Sequence, residues 1–241
     1  MGTETKKSVV ITGATGMIGT QIAKRLGGEN WRLHILDIDA KRLQALAEEL
    51  PKDTTFAETC LTDVSDCQTA VAGAGDRIDA LVHMAGIFLS HDLTPESRDI
   101  YDQTLQNNAT NAYNLVTAVL PKLADGGAFV FASSLGFNRG NIDQVAYTMA
   151  KGAIVGLTRA LSRRLGHRGI RSNAIAPGII NSPMSNKVIE AQGRDALLST
   201  IPLGRFGQPE EMAGAVAFLL SDDATYITGQ VINIDGGIIN G

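Results

Sequence analysis

Short apolar runs alternate with longer amphipathic stretches along the whole chain. Seven of the runs have the length and the β-branched content of strands, and they are predicted at 8–12, 32–36, 55–60, 78–83, 127–133, 170–175 and 230–234. Helical periodicity fills the intervals, and the longest predicted helices lie at 108–123 and 145–166. Strands that alternate with helices predict an α/β protein built from βαβ units.

Right-handed crossovers arrange such units as a Rossmann-like, doubly wound parallel sheet with helices on both faces. The predicted strand order is 3-2-1-4-5-6-7, and a ligand is expected at the carboxyl edge where that order reverses. No linker or repeat interrupts the 241 residues, so one domain over residues 1–241 is expected. The segment 182–203 is expected to form a mobile lid.

Composition and charge narrow the possible partners. The formal net charge of −4 gives no electrostatic reason to expect nucleic acid or an anionic membrane. The amino terminus lacks the apolar core of a signal peptide and no run approaches a membrane span, so a cytoplasmic protein is expected. Cys60 and Cys67 lack metal-ligand spacing and the four histidines are scattered, so no metal site is expected.

A glycine turn follows the first predicted strand, where Gly13, Gly16 and Gly19 precede a helix. Backbone N–H groups and the helix N-terminus then face an anionic ligand such as a pyrophosphate. Asp37 ends the second strand, near the spacing at which a carboxylate receives the ribose hydroxyls of NAD and repels the 2′-phosphate of NADP. The alternatives are an ordinary tight turn and a helix-capping Asp37, although Asp39 is better placed to cap.

Tyr147 and Lys151 stand four residues apart on the second long helix, and Ser134 follows the fifth strand. Residues at this spacing share a helix face, so the ammonium can lie beside the phenol. Its charge, with an oxidised nicotinamide ring, is expected to lower the pKa of Tyr147 until the phenol accepts a proton from an alcohol. Taken alone, a Tyr-x-x-x-Lys pair occurs often by chance on amphipathic helices.

Together these segments resemble the short-chain dehydrogenase/reductase family from about Ser8 to Gly237. Further matching segments are TDVSD, HMAG, NNATNAYNLVTAVLP, VFASS, NAIAPGIINSPM and the long carboxy-terminal block from IPLGRFGQPEEM to VINIDGG. The resemblance implies an oxidoreductase that transfers a hydride between NAD(H) and a small secondary alcohol or ketone. Its four catalytic residues would be Asn108, Ser134, Tyr147 and Lys151.

Each catalytic residue has an implied role. Ser134 would hydrogen-bond the reacting oxygen, with Tyr147 as the acid/base. Lys151 would bind the nicotinamide ribose and tune the tyrosine, while Asn108 would kink the long helix and hold a water that connects the lysine to solvent. The immediate neighbours Ser133 and Asn107 are the nearest alternative assignments.

The resemblance also implies a continuous set of cofactor contacts. The residues are Gly13, Thr15, Gly16, Met17, Ile18, Gly19, Asp37, Ile38, Asp63, Val64, Met84, Ala85, Gly86, Tyr147, Lys151, Pro177, Gly178, Ile180 and Ser182. Asp63 and Val64 match the adenine pocket, while the stretch that begins at Pro177 matches the surroundings of the nicotinamide carboxamide. Asp63 could instead cap a helix, and Pro177-Gly178 could be only a turn.

Two segments depart from the classical branch of the family. Met17 stands where classical members carry glycine, with Gly16 supplying the glycine instead, and His83-Met84 replaces the usual Asn-Asn pair. Both features are closer to the extended branch, whereas the chain length and the carboxy-terminal block fit the classical one. A classical body with a variant dinucleotide turn is expected.

Three functions remain open at this point. Asp37 favours NAD, and Ile38 follows it where NADP-preferring relatives often carry arginine. The carboxy-terminal block also resembles 3-oxoacyl carrier-protein reductases, which usually use NADPH. A catalytically silent, dinucleotide-binding regulatory protein is the third reading. A group of arginines, Arg163, Arg164, Arg168 and Arg171, either complements a helix dipole or docks an acidic carrier protein.

Two further expectations concern the substrate pocket and assembly. The pocket walls are expected from Ile87, Phe88, Leu135 to Ile142, Gln144 and the segment 182–203. The family resemblance implies a homotetramer, with the two long helices at one interface and the carboxy-terminal helix and strand at the other.

Overall fold

Seven parallel strands form one sheet in the computed structural model, which describes residues 6–239 except the side chains of residues 183, 184, 187, 188 and 191. The strands are β1 (Ser8–Thr12), β2 (Arg32–Asp37), β3 (Thr55–Glu58), β4 (Ile78–His83), β5 (Leu123–Ala132), β6 (Arg171–Pro177) and β7 (Val231–Ile234). Their order is β3-β2-β1-β4-β5-β6-β7, so the predicted doubly wound α/β fold is confirmed.

Helices connect the strands and cover both faces of the sheet. They are α1 (Met17–Gly28), α2 (Ala40–Glu48), α3 (Val64–Ala72), α4 (Arg98–Leu105), α5 (Asn111–Val119), α6 (Gly136–Arg139), α7 (Val145–Leu165), α8 (Pro183–Gln192), α9 (Arg194–Ser199) and α10 (Pro209–Leu220). Among the described residues, no helix is long and apolar enough to cross a membrane. The same residues contain no cluster of His, Cys, Asp and Glu that could hold a metal ion.

The two sheet faces bury separate apolar cores. On one face, Val9 and Ile11 of β1 pack with residues of α1, α2 and α10. On the other, Val10 of β1 joins Phe129 and Phe131 of β5 and residues of α3, α5 and α7. Because both faces are covered, the buried parts of the central strands are continuous apolar runs, such as residues 9–11 of β1 and 128–131 of β5, which makes them recognisable in the sequence.

The helix predicted at 108–123 has different bounds. It begins at Arg98 as α4, widens into a π-helical turn at Gln106–Thr110 and continues as α5 only to Val119. A short 3₁₀ turn with Pro121 then ends it, because proline cannot donate the next helical hydrogen bond. Strand β5 also begins earlier than predicted, at Leu123, and β3 ends earlier, at Glu58.

The expected lid, 182–203, contains α8 and α9. Leu197 and Ile201 of this segment pack with Phe206 in a third small apolar cluster. Its mobility stays a prediction. So does the single domain over residues 1–241, whose ends at 1–5 and 240–241 lie outside the described residues.

Arg171 is a buried cation at the start of β6. Its guanidinium donates to the carbonyls of Leu219 and Ser221, at 2.5 and 3.3 Å, at the carboxyl end of α10. Burial lowers its pKa. Arg171 therefore satisfies helix-end carbonyls that would otherwise lack partners.

We expect Arg171→Met to lower the free energy of unfolding by about 1–3 kcal/mol, because buried carbonyls lose their donor. Urea denaturation of the purified variant measures the change. Arg163→Met is the matched control, since Arg163 is exposed on α7, and it should change stability by less than about 0.5 kcal/mol. Equal effects of the two substitutions would contradict this account of Arg171.

Candidate active site

A cavity of about 410 Å³ opens at the carboxyl edge of the sheet. The loops after β4, β5 and β6 supply most of its wall. The cofactor and catalytic residues predicted from the sequence that line it are Ile18, Met84, Gly86, Asn108, Ser134, Tyr147, Lys151, Pro177, Gly178, Ile180 and Ser182. The predicted pocket residues Ile87, Phe88, Leu135, Ile142 and Gln144 also line it.

Tyr147 and Lys151 lie on the first two turns of α7 and are both buried, with 9% and 4% of their surfaces exposed. The Nζ atom of Lys151 is 5.4 Å from the centroid of the Tyr147 ring and donates to the Ala132 carbonyl at 3.0 Å. The phenyl ring of Phe88 packs edge-on against the tyrosine, with ring centroids 4.9 Å apart. The spacing therefore brings phenol and ammonium together as expected.

Of the two serines after β5, only Ser134 has a hydroxyl available to the phenol. Its Oγ accepts a hydrogen bond from the Gly136 amide at 3.1 Å. Burial raises the pKa of Tyr147, and hydrogen bonding with Ser134 offsets part of that rise. Ser133 is buried and donates to the Lys151 carbonyl at 3.0 Å, which ties β5 to α7. This geometry favours Ser134 over Ser133 for the catalytic role.

Asn108 lies in the π-helical turn, and two hydrogen bonds orient its side chain. Its Nδ2 donates to the carbonyls of Thr104 and Ile87, each at 2.9 Å. Its Oδ1 is buried without a partner among the described residues, and a Cβ atom at Gly86 would lie 2.4 Å from this oxygen and 3.4 Å from Lys151 Nζ. A buried acceptor without a partner is costly, and the water expected at Asn108 would supply one.

Glycine at position 86 is what lets Asn108 and Lys151 approach each other. The alternative Asn107 does not line the cavity, and its amide donates back to the Gln103 carbonyl. The kink expected at Asn108 is present as the π-helical turn. The four candidate side chains therefore lie around one cavity, and their catalytic roles stay predictions.

Burial controls the titration of the tyrosine and lysine. It raises the pKa of Tyr147 to about 12 and lowers the pKa of Lys151 to about 8. The expected lowering of the phenol pKa involves an oxidised nicotinamide ring as well as the lysine and stays a prediction; among the protein's own residues, loss of hydration raises the pKa of Tyr147. At neutral pH the phenol is protonated, so it is ready to donate a proton to a bound oxygen.

The glycine turn after β1 forms a close-packed cradle. Gly13 has a positive φ of 63°, and a Cβ on Gly19 would lie 2.1 Å from the Gly13 carbonyl oxygen. A Cβ on Gly13 would lie 2.7 Å from the Ala85 amide nitrogen. Such close approach of bare backbone to a helix N-terminus fits the pyrophosphate of a dinucleotide.

The two departures from the classical pattern have different consequences. Met17 begins α1 and leaves 42% of its surface exposed beside the turn. His83 is buried below the site, where its Nδ1 hydrogen-bonds the Thr12 hydroxyl at 2.8 Å and burial lowers its pKa to about 3. His83 therefore joins β4 to β1, and only its neighbour Met84 reaches the cavity.

Asp37 holds the turn from the end of β2. Its Oδ2 accepts from the Thr15 amide at 2.9 Å and its Oδ1 from the Ile38 amide at 2.8 Å. Arg42 donates to the Thr15 carbonyl. Asp39, and not Asp37, caps α2 by accepting from the Arg42 amide at 3.0 Å. A carboxylate has about four acceptor positions, so Asp37 retains room for ribose hydroxyls.

Asp63 performs the capping role that the sequence left open. Its carboxylate accepts from the amides of Ser65 and Asp66 at the start of α3. A hydrogen bond from the Ser65 hydroxyl, followed by those from the two amides, lowers the pKa of Asp63. Val64 follows with 40% of its surface exposed. Contact of either Asp63 or Val64 with an adenine stays a prediction.

The arginine group named from the sequence does not form one surface. Arg171 is buried against α10, and Arg168 pairs with Asp125 at 2.7 Å. Arg163 and Arg164 are exposed at the far end of α7, roughly 24 Å from Tyr147 at about 1.5 Å per residue. These two exposed arginines therefore lie away from the cavity of their own chain.

Sequence reasoning missed His91. Its ring contacts the first turn of α7, 55 positions later in the chain, at the Ala146 amide. A loop histidine without periodic neighbours gives no sequence signal for such a contact. Asp143 was also missed, although it lines the cavity and directly follows the predicted wall residue Ile142.

One family model and several known proteins match nearly the whole chain. The family model described as enoyl-(acyl carrier protein) reductase matches residues 13–239. The chain is 36% identical to the 3-oxoacyl-[acyl-carrier-protein] reductase FabG of Thermotoga maritima, with 97% of this chain and 98% of that protein covered. It is 37% identical to the reductase of the same name from Rickettsia conorii, with 98% of each chain covered.

Solved structures agree at the level of the fold. A short-chain dehydrogenase/reductase from Brucella melitensis, named glucose/ribitol dehydrogenase, is 32% identical, with 100% of both chains covered and a TM-score of 0.93. A single-residue variant of the actinorhodin polyketide ketoreductase, solved with NADPH, is 27% identical over 100% of both chains, with a TM-score of 0.91. The chain belongs to the short-chain dehydrogenase/reductase family of oxidoreductases.

Proposed function

We propose that the protein reduces the ketone of a 3-oxoacyl group carried as a thioester on an acyl carrier protein. The observation that carries this proposal is the phenol of Tyr147 beside Ser134 in a cavity whose walls include Ile87, Phe88 and Leu135. Named relatives with more than a third of their residues identical are 3-oxoacyl carrier-protein reductases. This function was the alternative in the sequence analysis, and the relatives favour it over a general NAD-dependent alcohol dehydrogenase.

The residues present fit a nicotinamide dinucleotide. The turn at Gly13–Gly19 would hold the pyrophosphate, Asp37 the adenosine ribose, Lys151 the nicotinamide ribose, and the stretch from Pro177 to Ser182 the carboxamide. The bound cofactor would supply the two electrons and the hydrogen that a ketone needs for reduction. In the protein, the Ser134 hydroxyl and the Tyr147 phenol both donate to the ketone oxygen, and Tyr147 gives up its proton to the alcohol product.

The Ser134 and Tyr147 hydroxyls line one cavity and would both donate to one substrate oxygen, which favours carbonyl reduction over saturation of a carbon–carbon double bond, the reaction named in the family model's description. The apolar wall would contact the acyl chain. Ile142 extends this wall outward with 94% of its surface exposed. A catalytically silent regulatory protein is disfavoured, because all four polar side chains are in place around the cavity.

For the cofactor, we propose a preference for NADH. Two solved relatives, one of them the polyketide ketoreductase variant, contain NADPH, and they point to the opposite preference. In this chain, however, the Asp37 carboxylate would meet a 2′-phosphate of about −1.5 to −2 charge. The next residue, Ile38, has 71% of its surface exposed and brings no positive charge. Arg42, which donates to the Thr15 carbonyl, is a nearby cation that would weaken the discrimination against NADPH.

We also propose a homotetramer. Exposed apolar side chains occur on both expected interfaces: Tyr113 on α5 and Met149 on α7, and Phe218 on α10 and Ile232 on β7.

We expect the protein to oxidise NADH in the presence of an acetoacetyl pantetheine thioester, followed by the absorbance of the reduced nicotinamide. Tyr147→Phe keeps the ring and removes the proton donor, so turnover should fall by roughly 10²- to 10⁴-fold. Cofactor binding, measured by fluorescence titration, should survive. Near-normal turnover of this variant would contradict the role of Tyr147, and inertness of the unmodified enzyme toward 3-oxoacyl thioesters would contradict the proposed substrate.

The cofactor proposal is tested by steady-state kinetics with NADH and NADPH. We expect at least a tenfold higher kcat/KM with NADH, which corresponds to about 1.4 kcal/mol. Asp37→Ala combined with Ile38→Arg should shift the preference toward NADPH, because the repelling carboxylate is replaced by a nearby cation. Asp39→Ala is the matched control: it removes a neighbouring carboxylate that caps α2, and the cofactor ratio should stay within about twofold. Equal or better efficiency of the unmodified protein with NADPH would refute the proposal.

Lys151 gives a prediction about stability. Its pKa falls from 10.5 to about 8 on burial, so the folded protein holds this proton less tightly than the unfolded chain. The charged lysine therefore costs stability below about pH 8, and the cost disappears as pH rises toward 10.5. We expect Lys151→Met to raise the free energy of unfolding at pH 7 by about 1–2 kcal/mol while abolishing turnover.

Urea denaturation at pH 7 and pH 10 measures this effect, and the advantage of the Met variant should shrink at the higher pH. Lys52→Met, at an exposed position, controls for loss of a surface charge and should have little effect at either pH. A Lys151→Met protein that is less stable than the unmodified one at pH 7 would show that the buried ammonium stabilises the fold.

A further inference from the structure

The first turn of α7, which carries Tyr147, lacks a cap from its own segment. Gln144 occupies the N-cap position, but its side chain makes no capping hydrogen bond. Its Nε2 instead donates to the Ser90 hydroxyl at 2.9 Å. The early amides of a helix have no partner within the helix, so they need acceptors from elsewhere.

His91 supplies one of these acceptors from the loop after β4. Its Nε2 lies 3.3 Å from the Ala146 amide nitrogen, and its Nδ1 lies 2.8 Å from the Asp92 carbonyl oxygen. A carbonyl can only accept, so Nδ1 carries the hydrogen. The Nε2 of the neutral ring is then free to accept from Ala146.

The backbone of the same loop completes the connection. The His91 amide donates to the Asp143 carbonyl at 3.0 Å, just before α7 begins. Three residues earlier, the Phe88 ring packs edge-on against Tyr147. The segment 88–91, which we name the α7 strap, therefore contacts the catalytic turn through one aromatic ring and three hydrogen bonds.

We propose that His91 is a positioning residue: by capping α7 from the strap, its imidazole holds the first turn, and with it the phenol of Tyr147, at the place where a substrate oxygen is protonated. It touches no reacting atom. The inference rests on the proposed role of Tyr147 as proton donor. A displacement of about 1 Å at a reacting group can lower rates a hundredfold, so a loosened first turn is sufficient to slow turnover.

Two variants separate the acceptor from the shape of the ring. His91→Phe keeps the planar bulk and removes the acceptor, and we expect kcat with acetoacetyl pantetheine thioester to fall about tenfold while the KM for NADH stays within about twofold. His91→Gln places Oε1 near the position of Nε2 and should restore at least half of the lost kcat. Ser90→Ala is the matched control, since it removes a strap hydrogen bond without touching the α7 amides, and its kcat should stay within about twofold.

Hydrogen exchange gives a readout that needs no substrate. The Ala146 amide should exchange faster in His91→Phe and should regain protection in His91→Gln. The proposal is overturned if His91→Phe turns over normally, or if the Phe and Gln variants are equally slow with equal exchange at Ala146.

A measurement on the unmodified protein covers the case in which a variant does not fold. The ¹⁵N chemical shifts of His91 should show the tautomer with the proton on Nδ1, and a proton on Nε2 would exclude the cap. Failure of the proposed function itself is distinguishable. In that case the thioester is not reduced by the unmodified enzyme, while the exchange and tautomer results still stand.

Discussion

Burial of the Lys151 ammonium is the constraint around which the site is organised. A cation with 4% of its surface exposed needs compensating dipoles. The ammonium donates a hydrogen bond to the Ala132 carbonyl at the end of β5. The Asn108 oxygen lies on the other side of the space that a side chain at position 86 would fill, which glycine leaves open. The end of β5, the π-helical turn and the loop after β4 must therefore all lie beside the ammonium. The same dry surroundings keep the Tyr147 phenol protonated.

Much of the fold could be predicted, because the decisive forces act locally or periodically. Strands β1 and β4 are covered on both faces, so their sequences are nearly unbroken apolar runs. The seven strands and their order followed from these runs together with the handedness of βαβ crossovers. The cap at Asp39 was also predictable, since it depends on residues three apart in the chain.

The features that escaped prediction depend on contacts between distant segments. The family resemblance implied a kink at Asn108 but not its form, a widened turn at Gln106–Thr110 that is stabilised partly by the bond from Asn108 to the Ile87 carbonyl, which helical periodicity does not reveal. The raised pKa of Tyr147 follows from desolvation, whereas the sequence shows only that a lysine is nearby. His91 gave no signal because its partner lies on α7, beyond strand β5 and the helices on either side of that strand. The catalytic identities, by contrast, came from a family resemblance, whose spacing already favoured Ser134 over Ser133, and the hydrogen bonds of the two serines agree with that choice.

The position of β1 in the sheet affects how the protein is made. β1 leaves the ribosome first, yet it pairs with both β2 and β4, and β4 begins only at Ile78. While residues 38–77 are being synthesised, a nascent β1–β2 pair exposes an apolar strand edge with unpaired N–H and C=O groups. At about 5–20 residues per second, this edge stays open for seconds. The strand order that creates the binding crevice therefore also creates an interval during synthesis in which two nascent copies can pair along β1.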